Sequence, residues 1–190
     1  FLPFYAFRNQ EPSTNLFNQL KNTVQTCEQL GYDSVWIDDH LMLGTTPILE
    51  CWTTLSALAS ATEKIKLGTM VTCNMFRNPA LLAKMVATLD NISNGRIELG
   101  VGAGVQKSEH DAYGFLFSSN KERIQRLNEA VEIMKKLWTQ KKSSYNGKYY
   151  NLKDAICEPK PIQKPHVPII IGGSGEKLTL KVTAPVSYTH

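Results

Sequence analysis

The chain has 190 residues, 42% of them hydrophobic and 20% charged, proportions that suit a folded domain with a sizeable core and exclude a long disordered protein. Its net charge of +4 comes from dispersed Lys and Arg residues; the densest clusters, Lys135-Lys136 and Lys141-Lys142, read as a solvated helix face, so no nucleic-acid partner is expected. Four cysteines at 27, 51, 73 and 157 have neither CxxC pairing nor metal-ligand spacing, and no apolar run is long enough for a membrane span, so reduced thiols, no metal, no membrane partner and a cytoplasmic location are expected.

Phe1-Leu2-Pro3-Phe4-Tyr5 suits the end of a first strand, and the missing Met suggests that this strand is incomplete. Ser13 or Thr14 can cap a helix in which Leu16, Leu20, Val24 and Cys27 recur at helical spacing, with Gly31 as its stop. Val35 and Ile37 then alternate with Ser34 and Trp36 as a strand buried on both faces, running directly into Asp38, Asp39 and His40. In parallel α/β folds ligands gather at the carboxyl ends of strands, so this cluster marks the candidate site. Asp38, Asp39 and His40 are three adjacent groups able to move or hold protons there.

Thr46-Pro47 reads as a cap and first helical residue for a helix from Ile48 to about Ala61, followed by a strand from Lys64 to Gly68. Asn78-Pro79 repeats the signal for a helix from Ala80 to about Asn91, and Gly95 turns the chain into the strand Arg96 to Val101. The run Gly100-Val101-Gly102-Ala103-Gly104 marks close backbone approach or a flexible loop. Ser119 and Glu122 form a capping box for a long helix carrying Ile124, Leu127, Val131, Met134 and Leu137 as a core stripe. A hairpin turning at Asn146-Gly147 follows, and then the apolar strand Pro168 to Ile171 enters Gly172-Gly173-Ser174-Gly175, a candidate anion site ahead of a helix.

About five strands alternating with helices argue for a parallel α/β fold, yet a closed (β/α)8 barrel needs roughly 250 residues. A doubly wound sheet fits the length but lacks its nucleotide fingerprint. Pro185 breaks a helical register without a cap, so a truncated reading frame with an unrelated tail at 185–190 is expected, with a genuine C-terminal end of the domain as the alternative.

Four stretches, Trp36 to His40, Leu67 to Cys73, Arg77 to Lys84 and Asn94 to Gly104, together resemble the bacterial luciferase-like monooxygenase superfamily, in the branch that uses the deazaflavin coenzyme F420 or a flavin. The resemblance covers residues 1 to about 184. It implies a (β/α)8 TIM barrel of the luciferase-like type, truncated here to about its first five βα units and forming a homodimer at full length. The implied activity is hydride transfer between coenzyme F420 and a small organic substrate; the alternatives are an FMN-dependent monooxygenase and a non-catalytic partial barrel. The resemblance assigns His40 as the catalytic acid/base, with Asp39 orienting it beside the cofactor ring. Met70-Val71 matches a non-prolyl cis peptide forming a bulge behind the ring, and Thr72 is implied to hydrogen-bond the ring's polar edge. Gly102, Ala103 and Gly104 are implied to pass under the cofactor's side chain, and Gly172, Gly173 and Ser174 to cradle its phosphate. The family's sugar-phosphate dehydrogenases carry a catalytic Glu directly after the strand-4 glycine run, where this chain has Val105, so that activity is not expected; Glu109 is expected at a helix start, on the surface.

Overall fold

The computed structural model describes residues 1–2 and 16–173. Apart from Phe1 and Leu2, the expected first strand lies outside the described residues, as do the candidate caps of the following helix, Ser13 and Thr14, the phosphate-loop residue Ser174 and the chain from there to His190. Leu2 donates its N–H to the carbonyl of Trp36 at 2.8 Å.

Strand-helix alternation organises the core. Helix α1 (Leu16–Gln29) buries Leu16, Leu20 and Val24 and ends where Gly31 adopts φ 79°, a conformation that costs glycine nothing. Strand β1 (Ser34–Ile37) follows. Val35 and Ile37 are buried while Ser34 and Trp36 are only half-buried, which corrects the expectation of burial on both faces. Successive side chains point to opposite faces, and on the second face Trp36 lies across Gly68, where a Cβ would sit 2.3 Å from its ring.

Helix α2 (Cys51–Ala61) begins later than Thr46-Pro47 predicted. The segment before it is taken up by a turn in which Thr46 donates its N–H to the Leu43 carbonyl. The Glu50 carboxylate caps the helix by accepting from Thr53 N at 2.7 Å. Helix α3 (Pro79–Ile92) starts as read, Asn78 capping Ala80 N at 2.9 Å.

Strands β2 (Lys66–Thr69), β3 (Thr72–Cys73), β4 (Ile97–Gly102) and β7 (Ile169–Gly172) join β1 in one parallel sheet. β2 and β3 are two halves of one strand against β4. Gly68 opposes Glu98 and Thr72 opposes Val101, so one extra residue is accommodated between them as a bulge. The bulge holds Met70-Val71, whose peptide bond is cis.

Helix α4 (Lys107–Tyr113) is short. Helix α5 (Asn120–Thr139) lays Leu127, Val131, Met134 and Leu137 into the core, and Trp138 Nε1 donates to the Ala83 carbonyl at 2.9 Å, tying α5 to α3. Half of its expected capping box forms: Ser119 Oγ accepts from Glu122 N, while the Glu122 carboxylate turns to Arg126. Strands β5 (Ser143–Asn146) and β6 (Asn151–Ala155) make the expected antiparallel hairpin. Its loop is longer than a two-residue Asn-Gly turn because Glu129 of α5 accepts the N–H groups of Lys148, Tyr149 and Tyr150 at 2.9, 3.0 and 3.2 Å.

Among the described residues no helix is long and apolar enough to cross a membrane, no cluster of three metal-ligating side chains occurs, and the four cysteines are free thiols.

Candidate active site

Because β1, β2–β3, β4 and β7 run parallel, their carboxyl ends meet at one edge of the sheet, where a cavity of about 390 Å³ opens. Asp39 and His40 reach it from β1; Met70, Val71 and Thr72 from the bulge; Gly102, Ala103 and Gly104 from β4; Gly172 and Gly173 from β7. Ten candidate residues spread over more than 130 positions thus line one space. Asp38 does not line it; it is buried at 8% exposure, with one carboxylate oxygen unpaired among the described residues.

Glycine is required on the cavity floor by contact. A Cβ at Gly102 would lie 2.8 Å from Val71 Cγ2, and at Gly172 2.9 Å from both Val71 methyls. At Gly100 it would sit 1.9 Å from the Thr69 carbonyl oxygen, closer than atoms can approach. Val71 therefore rests on a bare backbone shelf made by two strands. Thr72, fully buried beside it, has a hydroxyl with no hydrogen-bond partner among the described residues, a costly state unless something else supplies the bond.

Asp39 does not orient His40. Its side chain is wholly buried and is gripped by Arg77, whose Nη1 and Nη2 lie 2.6 and 3.0 Å from its two oxygens. Cys73 N donates to the same carboxylate at 2.9 Å. Adjacent side chains diverge at a strand end, so Asp39 turns toward the α3 start while His40 turns to the cavity. Burial pushes the Asp39 carboxyl up from its ordinary value, against the pull of Arg77 and the Cys73 N–H. Burial likewise opposes the charge on Arg77, but its bonds to Asp39 and Glu50 outweigh this and raise it. A guanidinium does not give up its proton in this setting, so the pair is held as ions.

The carboxylate that does meet His40 is Glu109. It is buried at 1% exposure rather than on the surface, and its Oε2 lies 2.9 Å from His40 Nδ1. The bond spans 69 positions, so no local pattern announces it; a helix-start glutamate is ordinarily solvated.

His110, next on α4, is fully buried on the cavity wall. Its Nδ1 donates to the Gln106 carbonyl at 2.8 Å, which leaves Nε2 to face Cys73 Sγ at 3.9 Å. Burial pushes the Cys73 thiol up to about 11, so it meets His110 as S–H. Phe76 and Phe117 pack on the imidazole with ring centroids 5.0 and 4.9 Å away. Arg123 holds the Gly104 carbonyl at 3.0 Å while lying over Phe117. The sequence signal for this box was the density of aromatic residues from Tyr113 to Phe117, which the reading of the glycine run passed over.

Known proteins are similar to this chain in sequence and fold. An F420-dependent glucose-6-phosphate dehydrogenase of Microbacterium testaceum is 39% identical over 168 residues, covering 85% of this chain and 48% of that protein. The structure of an F420-dependent secondary alcohol dehydrogenase in complex with an F420-acetone adduct superposes with a TM-score of 0.73 at 31% identity, over 86% of this chain and 49% of that one. The coenzyme F420 dependent tetrahydromethanopterin reductase of Methanopyrus kandleri superposes with a TM-score of 0.76 at 26% identity, over 95% and 51%. The chain spans about half the length of the curated relatives it matches, and its parallel α/β architecture matches the luciferase-like TIM barrels over that half. The sequence profile of the luciferase-like monooxygenase family matches residues 1–188, and with the cis bulge, the glycine shelf and the strand-end His40 in place, the chain belongs to that family.

Proposed function

We propose that this chain carries the cofactor-facing half of an oxidoreductase that transfers hydride between coenzyme F420 and a small organic substrate, with His40 exchanging the substrate proton. The observation that carries the reading is the convergence of His40, the bare glycine shelf under Val71 and the orphaned Thr72 hydroxyl on one cavity. A flat ring needs close backbone approach and one or two polar contacts at its edge, and these residues fit that need. The names of the relatives and of the 31%-identical structure support F420 over FMN.

In this reading Val71 and Met70 form the wall behind the ring, Thr72 satisfies its hydroxyl on the ring's polar edge, and Gly102 to Gly104 with Gly172 and Gly173 border the cofactor's side chain and phosphate. Ser174 is assigned to the same phosphate. When bound, coenzyme F420 supplies the hydride acceptor. His40 accepts the hydroxyl proton as the C–H electron pair leaves a substrate alcohol, or returns it in the reverse direction. Asp39, fixed by Arg77, holds the Cys73 N–H and so the bulge against the cavity rather than taking part in proton transfer.

Side-by-side fluorescence titration of F420 and FMN, on this chain and on a version extended to the length of its relatives, tests the proposal. Selective F420 binding supports it. FMN preference with oxygen uptake would replace it by the monooxygenase reading, and binding of neither would leave a non-catalytic partial barrel. In the extended protein His40→Ala is expected to cut turnover by about 10²–10⁴-fold with cofactor affinity nearly intact.

A further inference from the structure

Among the described residues, every side-chain hydrogen bond of Glu109 runs to a nitrogen of the segment that follows β1. Its side chain is 2% exposed. Oε2 meets His40 Nδ1 at 2.9 Å, and Oε1 accepts from Leu41 N at 2.9 Å and Met42 N at 3.1 Å. An ionised carboxylate only accepts, so it obliges Nδ1 to carry the ring proton and leaves the lone pair of the neutral imidazole on Nε2. That nitrogen has no partner among the described residues, and His40 lines the cavity. Neighbouring groups do not compete: Asp39 is committed to Arg77 and Cys73 N, and His110 to Gln106 and Cys73.

The carrier of Glu109 is itself held in place. Helix α4 lies between Gly104 at φ 81° and Gly114 at φ 71°, conformations that turn the chain sharply into and out of it. Tyr113, one turn beyond Glu109, donates its hydroxyl to the Leu41 carbonyl at 3.1 Å. The helix thus grips the segment after β1 at both its N–H and C=O groups.

We propose that Glu109 is the positioning residue of this site: it fixes His40 as the Nδ1–H tautomer, with Nε2 free for proton exchange, and clamps the backbone of residues 41–42 so that the ring keeps its aim. The tautomer assignment is independent of any cofactor. Its bearing on turnover rests on the hydride-transfer reading above.

Long-range nitrogen–proton correlation spectra of ¹⁵N-histidine-labelled chain at about pH 8.5, where an ordinary imidazole is neutral, test the first part. His40 is expected to show a protonated Nδ1 and a bare Nε2. In Glu109→Gln the amide oxygen still accepts from Leu41 and Met42, but the amide NH₂ now donates to Nδ1, so the proton is expected to move to Nε2. Turnover of the extended protein with F420 is then expected to fall by about 10–100-fold, with KM for substrate changed less than twofold. A wild-type His40 protonated at Nε2, or an unchanged tautomer in Glu109→Gln, overturns the proposal, and the wild-type spectrum decides even if the variant does not fold. A tautomer swap with undiminished turnover supports the hold of Glu109 on the ring and instead removes His40 from the proposed chemistry.

Discussion

Removal of the Arg77 charge is the sharpest test of how the site is held together. The Asp39 side chain is fully buried and Arg77 is 11% exposed, and they meet at 2.6 Å. In Arg77→Met the aliphatic stem stays, but Asp39 keeps only the Cys73 N–H to offset its desolvation. Breaking a buried pair from one side costs about 3–5 kcal/mol, because the surviving charge is stranded. That is a large share of the roughly 5–15 kcal/mol by which a domain is stable. The arm to Glu50 adds little, since that carboxylate is 39% exposed and an exposed pair contributes under about 1 kcal/mol. Burial already pushes the Asp39 carboxyl up, and without Arg77 it rises further above its unfolded value near 3.9. An acid whose folded pKa is raised takes up a proton on folding, so the penalty is complete above the raised value and fades as pH falls through it. Urea unfolding of both proteins between pH 5 and 8 reads this as a midpoint difference that narrows toward acid. Asp39→Asn added to Arg77→Met removes the stranded charge while keeping an acceptor for Cys73 N, and is expected to recover more than half of the loss. A single-variant loss under about 1 kcal/mol, a loss that grows toward acid, or no recovery in the double variant would refute the reasoning.

Three further outcomes follow from the packing and burial of the site. Gly172→Ala is expected to cost about 1–3 kcal/mol by overpacking and to be largely rescued by Val71→Ala, because the three atoms nearest the added methyl all belong to the Val71 side chain. Gly100→Ala, whose Cβ meets the Thr69 carbonyl, is expected to destabilise more and to resist that rescue; urea midpoints of the four variants check both statements. Cys73, held near 11 by burial, carries about 10²-fold less thiolate at pH 8 than an ordinary cysteine near 8.5. Its alkylation by iodoacetamide, followed by peptide mass spectrometry, is expected to lag that of a cysteine in an unstructured reference peptide by at least that factor.

Local chemistry was enough to place the framework. Leu16, Leu20 and Val24 at helical spacing, Gly31 after them, Asn78-Pro79 ahead of α3 and the apolar Ile169-Ile170-Ile171 each mark their element because period, cap and turn preferences act within a few residues. Alternation of those elements fixed parallel strands, and parallel strands bring Asp39, His40, Thr72, Gly102 and Gly172 to one edge. The partners of those residues were decided only in three dimensions. Asp39 stands next to His40 in the chain but pairs with Arg77, 38 positions away, and His40 pairs with Glu109, 69 positions away. The start of α2 at Cys51 and the length of the β5–β6 loop likewise follow carboxylates, Glu50 bound by Arg77 and Glu129 reaching from α5. A side chain's period is written in its neighbours, whereas the charge it meets depends on strand register and helix docking, which set distances between residues that the sequence leaves far apart.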